Sequence, residues 1–178
     1  PPLWNPNGYG EAQIYKMVIK CGKSKKEIQF GIRTLKILRI VDDKNSENYN
    51  KCLELKQSEF AKNIDENTEF SGFTLKINNR TIMCKGANWV PCEPFDGKDI
   101  KPKITHLLEL AKAAGVNFLR VWGGGAFECE HFYDECSRLG ILVAQDFLMA
   151  CGEYPDKEEW FLEQLRKEAE YATRLIRN

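Results

Sequence analysis

From Met83 onward the apolar positions alternate between two rhythms. Short apolar runs at Met83–Trp89, Val116–Trp122 and Ile141–Asp146 predict strands. Between them, Ile104, Leu107, Leu108 and Ala111 fall at helical spacing within Pro102–Ala114, and Phe132, Cys136 and Leu139 do so within Glu128–Leu139. Gly115 and Gly140 stand where a left-handed residue would end each helix. A third helix is expected to open with a capping-box-like Asp156 and Glu159, placing Phe161, Leu165, Ala172 and Ile176 along one face.

Strand and helix thus repeat three times at roughly 25–35 residues per unit, the spacing of a parallel sheet with helical crossovers. The fold class is α/β, and three such units are what the first three-eighths of a (β/α)8 barrel would look like. Upstream the pattern is different. Gln13–Lys20 is β-branched and aromatic with partial alternation, Gly22-Lys23-Ser24 is turn chemistry, and Phe30–Ile40 is a second extended run. These read as the last strands of an antiparallel β-sandwich over residues 1–45, with partner strands expected further upstream. Residues 46–69 lie in a polar stretch rich in Asn, Lys and Glu, expected to be a linker or surface insertion. Phe73–Ile77 and Thr81–Lys85 flank Asn78-Asn79-Arg80 as a hairpin, and residues 70–178 carry the strand–helix units.

Charge narrows the function classes. Lys and Arg number 26 against 26 Asp and Glu, so the chain lacks the basic excess of a nucleic-acid or membrane-surface binder. No apolar run approaches the roughly 18 residues of a membrane span. No signal peptide is read at the N-terminus, which lacks a basic region followed by an apolar one. The seven cysteines are odd in number, irregularly spaced and form no Cys-x-x-Cys pair. Reduced thiols in a cytoplasmic protein fit this better than a disulfide framework. Cys129, His131 and Cys136 are candidate metal ligands by type, but on a helix His131 falls off the line joining the two cysteines, and no metal or other cofactor is expected.

The candidate chemistry lies at the strand ends. Asn117 to Gly125 reads Asn-Phe-Leu-Arg-Val-Trp-Gly-Gly-Gly, an apolar run that carries an Arg and a Trp and then breaks into glycines. Asn117, Arg120 and Trp122 are read as more than core filler, with the glycines clearing space beside the indole. The C-terminal ends of the three strands supply Asn88 and Trp89, then Arg120 and Trp122, then Gln145 and Asp146. Indole faces stack on pyranose rings and polar forks bind hydroxyls, so this set suits a sugar. Each residue has a plainer reading beside it. Trp89 is either rim packing or a ligand contact. Arg120, inward-pointing on a parallel strand, must meet a carboxylate such as Asp146, and that pair is either part of a binding site or purely structural. Gly123–Gly125 as a phosphate cradle is disfavoured, because Gly-x-Gly-x-x-Gly fails at Glu128 and the acidic Glu128 and Glu130 would repel phosphate.

Several motifs occur in one order: Trp4-Asn5-Pro6-Asn7-Gly8-Tyr9-Gly10, Lys85-Gly86-Ala87-Asn88-Trp89-Val90-Pro91, Leu119–Gly125, Phe132-Tyr133-Asp134-Glu135-Cys136, Gly140–Val143 and Gln145-Asp146-Phe147. As a set the chain resembles β-mannosidases of glycoside hydrolase family 2, and exo-glucosaminidases less closely. The resemblance implies an immunoglobulin-like β-sandwich feeding a (β/α)8 TIM barrel, and retaining hydrolysis by two glutamates about 5 Å apart. Those glutamates follow barrel strands four and seven in the family, so both are expected beyond Asn178 and the chain alone is expected to be inactive. Among the acidic residues present, Glu153, in a loop near the expected barrel mouth, is the one retained as a substitute, whereas Glu128 and Glu130 are assigned to opening a helix. By resemblance Trp122 lines the −1 sugar subsite, Arg120 lies beside the nucleophile, and Asn88 and Asp146 match positions near the pocket floor. Where relatives usually carry Trp, this chain has Ala144. The expected partners are a β-mannoside or related oligosaccharide, and the rest of the hydrolase or a second copy covering the open sheet edge. A non-catalytic carbohydrate-binding or assembly module is the alternative from another class, and a phosphate-binding α/β domain a third.

Overall fold

The computed structural model describes residues 1–41, 45, 47, 71–93, 95 and 98–176. Most of the expected linker at 46–69 therefore lies outside the described residues. The chain divides into two compact units, Thr34–Met83 in one and Pro1–Arg33 with Cys84–Asn178 in the other.

In the first unit, β3 (Leu35–Val41) and β4 (Ser71–Ile77) pair antiparallel from Leu35 opposite Ile77 to Val41 opposite Ser71. Strands from either side of the expected linker thus share a sheet. β5 (Arg80–Ile82) returns along β4 through a two-residue turn in which Asn78 and Asn79 both take positive φ, 51° and 64°. Asparagine tolerates that region, so the sequence signal at Asn78-Asn79 specifies a tight hairpin. Leu75, Ile77 and Ile82 are buried here.

The second unit begins with a hairpin of β1 (Tyr15–Cys21) and β2 (Ser24–Phe30), turned at Gly22. The extended run expected over Phe30–Ile40 is broken, because β2 stops at Phe30 and β3 starts at Leu35. The break has a packing cause. A Cβ on Gly31 would lie 2.9 Å from three atoms of the Trp4 side chain, so the chain leaves the hairpin against that indole.

The rest of this unit is a parallel sheet, β6 (Gly86–Trp89), β7 (Phe118–Val121) and β8 (Leu142–Gln145), in that order. Each strand is followed by a helix: α1 (Lys101–Ala113), α2 (Glu130–Leu139) and α3 (Glu159–Ile176). Both crossover helices end in the same way. Gly115 and Gly140 take φ of 84° and 76°, Val116 N–H reaches Ala111 C=O at 3.0 Å, and Ile141 N–H reaches Cys136 C=O at 2.8 Å. These bonds satisfy carbonyls that a helix end leaves open, and they require glycine at the turning residue. Gly86 is required by close approach instead: a Cβ there would stand 1.5 Å from Phe118 O. Two helix starts differ from the pattern read in the sequence. α2 begins at Glu130 with Cys129 as its cap, and α3 begins at Glu159, preceded by a turn at Asp156 and Lys157.

One face of the sheet is covered by α1 and α2. Trp89, Leu119 and Val121 pack there with Ile104 and Leu108 of α1 and Phe132 of α2. At roughly 25 cal/mol per Å2 of apolar surface, such residues supply most of the stability of the unit. The strand register places Asn88, Arg120 and Ala144 in one row on the opposite face.

Candidate functional site

The two ends of the parallel sheet are built differently. At the start of β7, Asn117 is 1% exposed. Its side-chain oxygen accepts from Lys85 N–H at 2.8 Å, while its own N–H and C=O bond Lys85 and Leu142. Asn117 therefore ties three strands together and faces away from the strand ends that carry Arg120 and Trp122. The expectation that it shares a functional face with them is corrected by this burial. The segment Trp4–Asn7 closes the same end. Asn7 Nδ2 donates to Lys112 O and Val116 O, each at 2.9 Å, and Trp4 Nε1 donates to Ser137 O at 2.7 Å. The bonds to Lys112 O and Ser137 O satisfy carbonyls at the ends of α1 and α2.

At the other end the polar side chains bind one another. Arg120 Nε and Nη2 donate to the two oxygens of Asp146 at 3.2 and 2.5 Å, a bidentate pair. Arg120 Nη1 donates to Asn88 Oδ1 at 3.2 Å, and Gly123 N–H to Asp146 Oδ2 at 3.3 Å. The carboxylate expected for Arg120 is thus Asp146. The pair is not sealed in the core, since the side chains are 45% and 31% exposed. Small Ala144 stands beside Arg120 in the register and leaves that flank low.

Trp122, at the end of the same strand as Arg120, is 37% exposed. Its backbone is held by a bond from its N–H to Trp89 O at 3.0 Å. The three glycines after it are required by close packing. A Cβ at Gly124 would come within 2.1 Å of the Trp122 ring, one at Gly123 within 2.4 Å of Phe147 O, and one at Gly125 within 2.8 Å of Pro91. The indole lies directly on the backbone at Gly124, which fixes its pose and leaves its far side to solvent.

Trp89 does not join this face. It is 9% exposed, its ring is 4.9 Å from that of Phe132, and its Nε1 donates to Glu128 Oε1 at 2.9 Å. The strand ends at Trp89 with its side chain on the helix-covered side, so among the expected sugar contacts Trp89 is the one the structure buries. Glu128 is equally misread as a helix-opening residue. It precedes α2 and is 8% exposed. Tyr133 Oη accepts from Glu128 N–H at 3.3 Å and donates to Gln145 Oε1 at 2.7 Å; Gln145 Nε2 donates to Asp146 O at 2.9 Å. Burial pushes the Tyr133 phenol up to about 12, so it stays a neutral donor. The clue available in the sequence was position: Glu128 immediately follows the apolar Ala126-Phe127 and precedes the helix, where a carboxylate is drawn inward.

The thiols offer little chemistry. Cys136 is buried in the core and burial pushes its thiol upward; Cys92 is pushed upward by burial and by Glu128. His131 Nε2 lies 2.8 Å from Thr105 Oγ1. Among the described residues no group of three His, Cys, Asp or Glu side chains has the arrangement to hold a metal ion. No described helix is long and apolar enough to cross a membrane. Glu153 is exposed.

No protein-family model matches the chain. Curated proteins do. A Caenorhabditis elegans protein named "Probable beta-mannosidase" is 35% identical over 174 residues, covering 96% of this chain and 17% of its own length. Beta-mannosidase B of Emericella nidulans is 32% identical over 183 aligned positions, covering 100% of this chain and 19% of its own. The crystal structure of a β-D-mannosidase from Dictyoglomus thermophilum matches with a TM-score of 0.78 at 37% identity, covering 100% of this chain and 20% of that one. An Amycolatopsis orientalis exo-chitosanase matches with a TM-score of 0.54 at 18% identity over 80% of this chain and 14% of its own, a likeness of fold alone. The chain spans about a fifth of the length of the curated relatives it matches. The resemblance read from the motifs is borne out by these relatives, and neither the exo-glucosaminidase nor the binding-module alternative is favoured by them.

Proposed function

We propose, from a chain that is β-mannosidase-like along its whole length, that these residues form one wall of the sugar site in a retaining exo-β-mannosidase. The substrate is a terminal β-D-mannose residue of an oligosaccharide, and no cofactor takes part. The observation that carries the reading is the network of Arg120, Asp146 and Asn88 at the strand ends, with the half-exposed Trp122 following on the same strand end. An exposed indole and a fixed guanidinium at one end of the sheet are suited to a pyranose ring, with apolar C–H groups on the indole and hydroxyls at the polar fork. Arg120 is oriented by two acceptors and keeps an exposed edge, so it presents a localised positive charge where an anionic nucleophile or a developing negative charge would sit.

The three strand–helix units are the first three of a (β/α)8 barrel, and the hairpins belong to an immunoglobulin-like region before it. The likeness to the β-D-mannosidase crystal structure and the parallel order of β6, β7 and β8 support this reading. The two glutamates of the reaction lie outside this chain, one an ionised nucleophile and one a protonated acid, about 5 Å apart. The exposed Glu153 replaces neither, and residues 1–178 turn over no substrate alone. Six free cysteines among the described residues support a cytoplasmic location. The sheet edge at β8 is completed by further strands of the same hydrolase, which agrees with the share of its relatives that this chain spans.

The test is hydrolysis of p-nitrophenyl β-mannoside by the whole protein, with the β-glucosaminide as control. Turnover of the mannoside with retention at the anomeric carbon is the expected result. Turnover of the glucosaminide alone, or of neither, overturns the reading.

A further inference from the structure

Arg120 has two side-chain partners on neighbouring strands, Asn88 of β6 and Asp146 just past β8. Each partner is next in sequence to a residue held from the opposite face of the sheet. Trp89, beside Asn88, donates to the carboxylate of Glu128. Gln145, beside Asp146, accepts from Tyr133 Oη and returns a bond to Asp146 O. The two holds are one structure, because Glu128 N–H donates to the same Tyr133 oxygen. A buried carboxylate and a partly buried phenol at the entry to α2 therefore tie together the ends of β6 and β8, with β7 and Arg120 between them.

We propose that Glu128 and Tyr133 are positioning residues that set the separation of Asn88 and Asp146, and so aim the Arg120 guanidinium. Neither residue faces the open side of the sheet. Glu128 is 8% exposed and bonded to Trp89, which has no role on the open face. A carboxylate buried beside an apolar core is costly unless its bonds are made, so its retention here calls for a reason. A tie across the sheet supplies one. It holds the spacing from the helix-covered side, through one buried bond and three partly buried ones, and leaves the open face free for substrate. The proposal deepens the glycosidase reading and rests on it for its kinetic test.

The variants are Glu128→Gln, Glu128→Ala and Tyr133→Phe in the whole protein. Glu128→Gln keeps an oxygen for Trp89 Nε1 and is expected to stay within about threefold of the parent kcat. Glu128→Ala and Tyr133→Phe release the tie and are expected to lower kcat roughly tenfold to a hundredfold, the scale of a reacting group displaced by about 1 Å. Because Arg120 also holds sugar hydroxyls, KM is expected to rise less than kcat falls, by no more than about fivefold. A purely structural role would lower the unfolding temperature and leave kcat of the folded fraction unchanged, and that result overturns the proposal. If Glu128→Ala fails to fold, Tyr133→Phe, which keeps the ring, decides alone. Should the parent protein hydrolyse no mannoside, the functional reading falls separately, and crystal structures of parent and Tyr133→Phe decide the positioning. An Arg120–Asp146 pair that is still bidentate in Tyr133→Phe refutes it; a broken or monodentate pair supports it.

Discussion

The opposite ends of β6, β7 and β8 use similar residues to opposite purposes. At the entry end an asparagine, Asn117, is buried and serves the backbone, accepting from Lys85 N–H and bridging toward Leu142. At the exit end another asparagine, Asn88, is exposed and serves a side chain, accepting from Arg120. The indoles divide in the same way. Trp4 is 2% exposed and donates to a helix carbonyl, while Trp122 is 37% exposed and lies on a glycine. Polar groups whose partners are main-chain atoms stabilise the fold. Polar groups whose partners are one another, near solvent, are arranged for something that arrives later. In barrels of parallel strands this division follows the direction of the chain.

The sharpest way to break the comparison is to remove one residue from each end and read both activity and stability. Arg120→Ala is expected to lower kcat/KM on a β-mannoside by about a hundredfold or more, since a preoriented charge is lost from the site. Its unfolding temperature should move by only a few degrees, because an ion pair 45% and 31% exposed contributes roughly 1 kcal/mol or less. Asn117→Ala is expected to do the reverse. It removes the acceptor of a partly buried backbone N–H at Lys85, costing about 1 kcal/mol, and should lower the unfolding temperature while leaving kcat within about threefold at a temperature where the variant is folded. Thermal unfolding and steady-state kinetics on the same preparations check both. An Asn117 variant that is stable but inactive would mean that the two ends are not separate in role.

How far this division was legible in the sequence varies by mechanism. The strand–helix alternation was legible because hydrophobic period, Gly115 and Gly140 agree at each boundary. Arg120 and Asp146 were legible as a pair because an inward charge must be answered. Trp89 was misread because a strand end carries side chains to both faces, and one residue of register decides between substrate and core. Glu128 was misread because its partner, Trp89, is 39 positions away, and spacing along a helix says nothing about contacts across a sheet. The helix-closing part of Trp4–Asn7 was unread for the same reason: its acceptors lie more than 100 residues on. Local chemistry writes turns and caps into the sequence; long-range bonds leave only the residue type.

The smallest effect sharpens what is special about Arg120. Arg138 on α2 forms the same kind of bidentate pair with Glu135, at 2.9 and 2.7 Å, and also reaches Glu109 at 3.3 Å. It lies on a helix surface, away from the side chains that surround Arg120. Hydrogen bonds from Arg138 hold the Glu135 carboxyl below its ordinary value. A lowered carboxyl contributes stability that is present above the ordinary glutamate value and is lost as the pH falls through the lowered one. Arg138→Ala should therefore destabilise the protein by roughly 0.5 kcal/mol near neutral pH, and by less as the solution is acidified below about pH 4. Denaturant unfolding at the two pH values measures the difference, and mannoside turnover should be unchanged throughout. If the deficit persists in acid, the arginine acts by covering apolar surface with its stem rather than by charge. If turnover falls as it does for Arg120→Ala, an arginine–carboxylate pair matters wherever it stands on these elements, and the exit end of the sheet loses its claim to be the site.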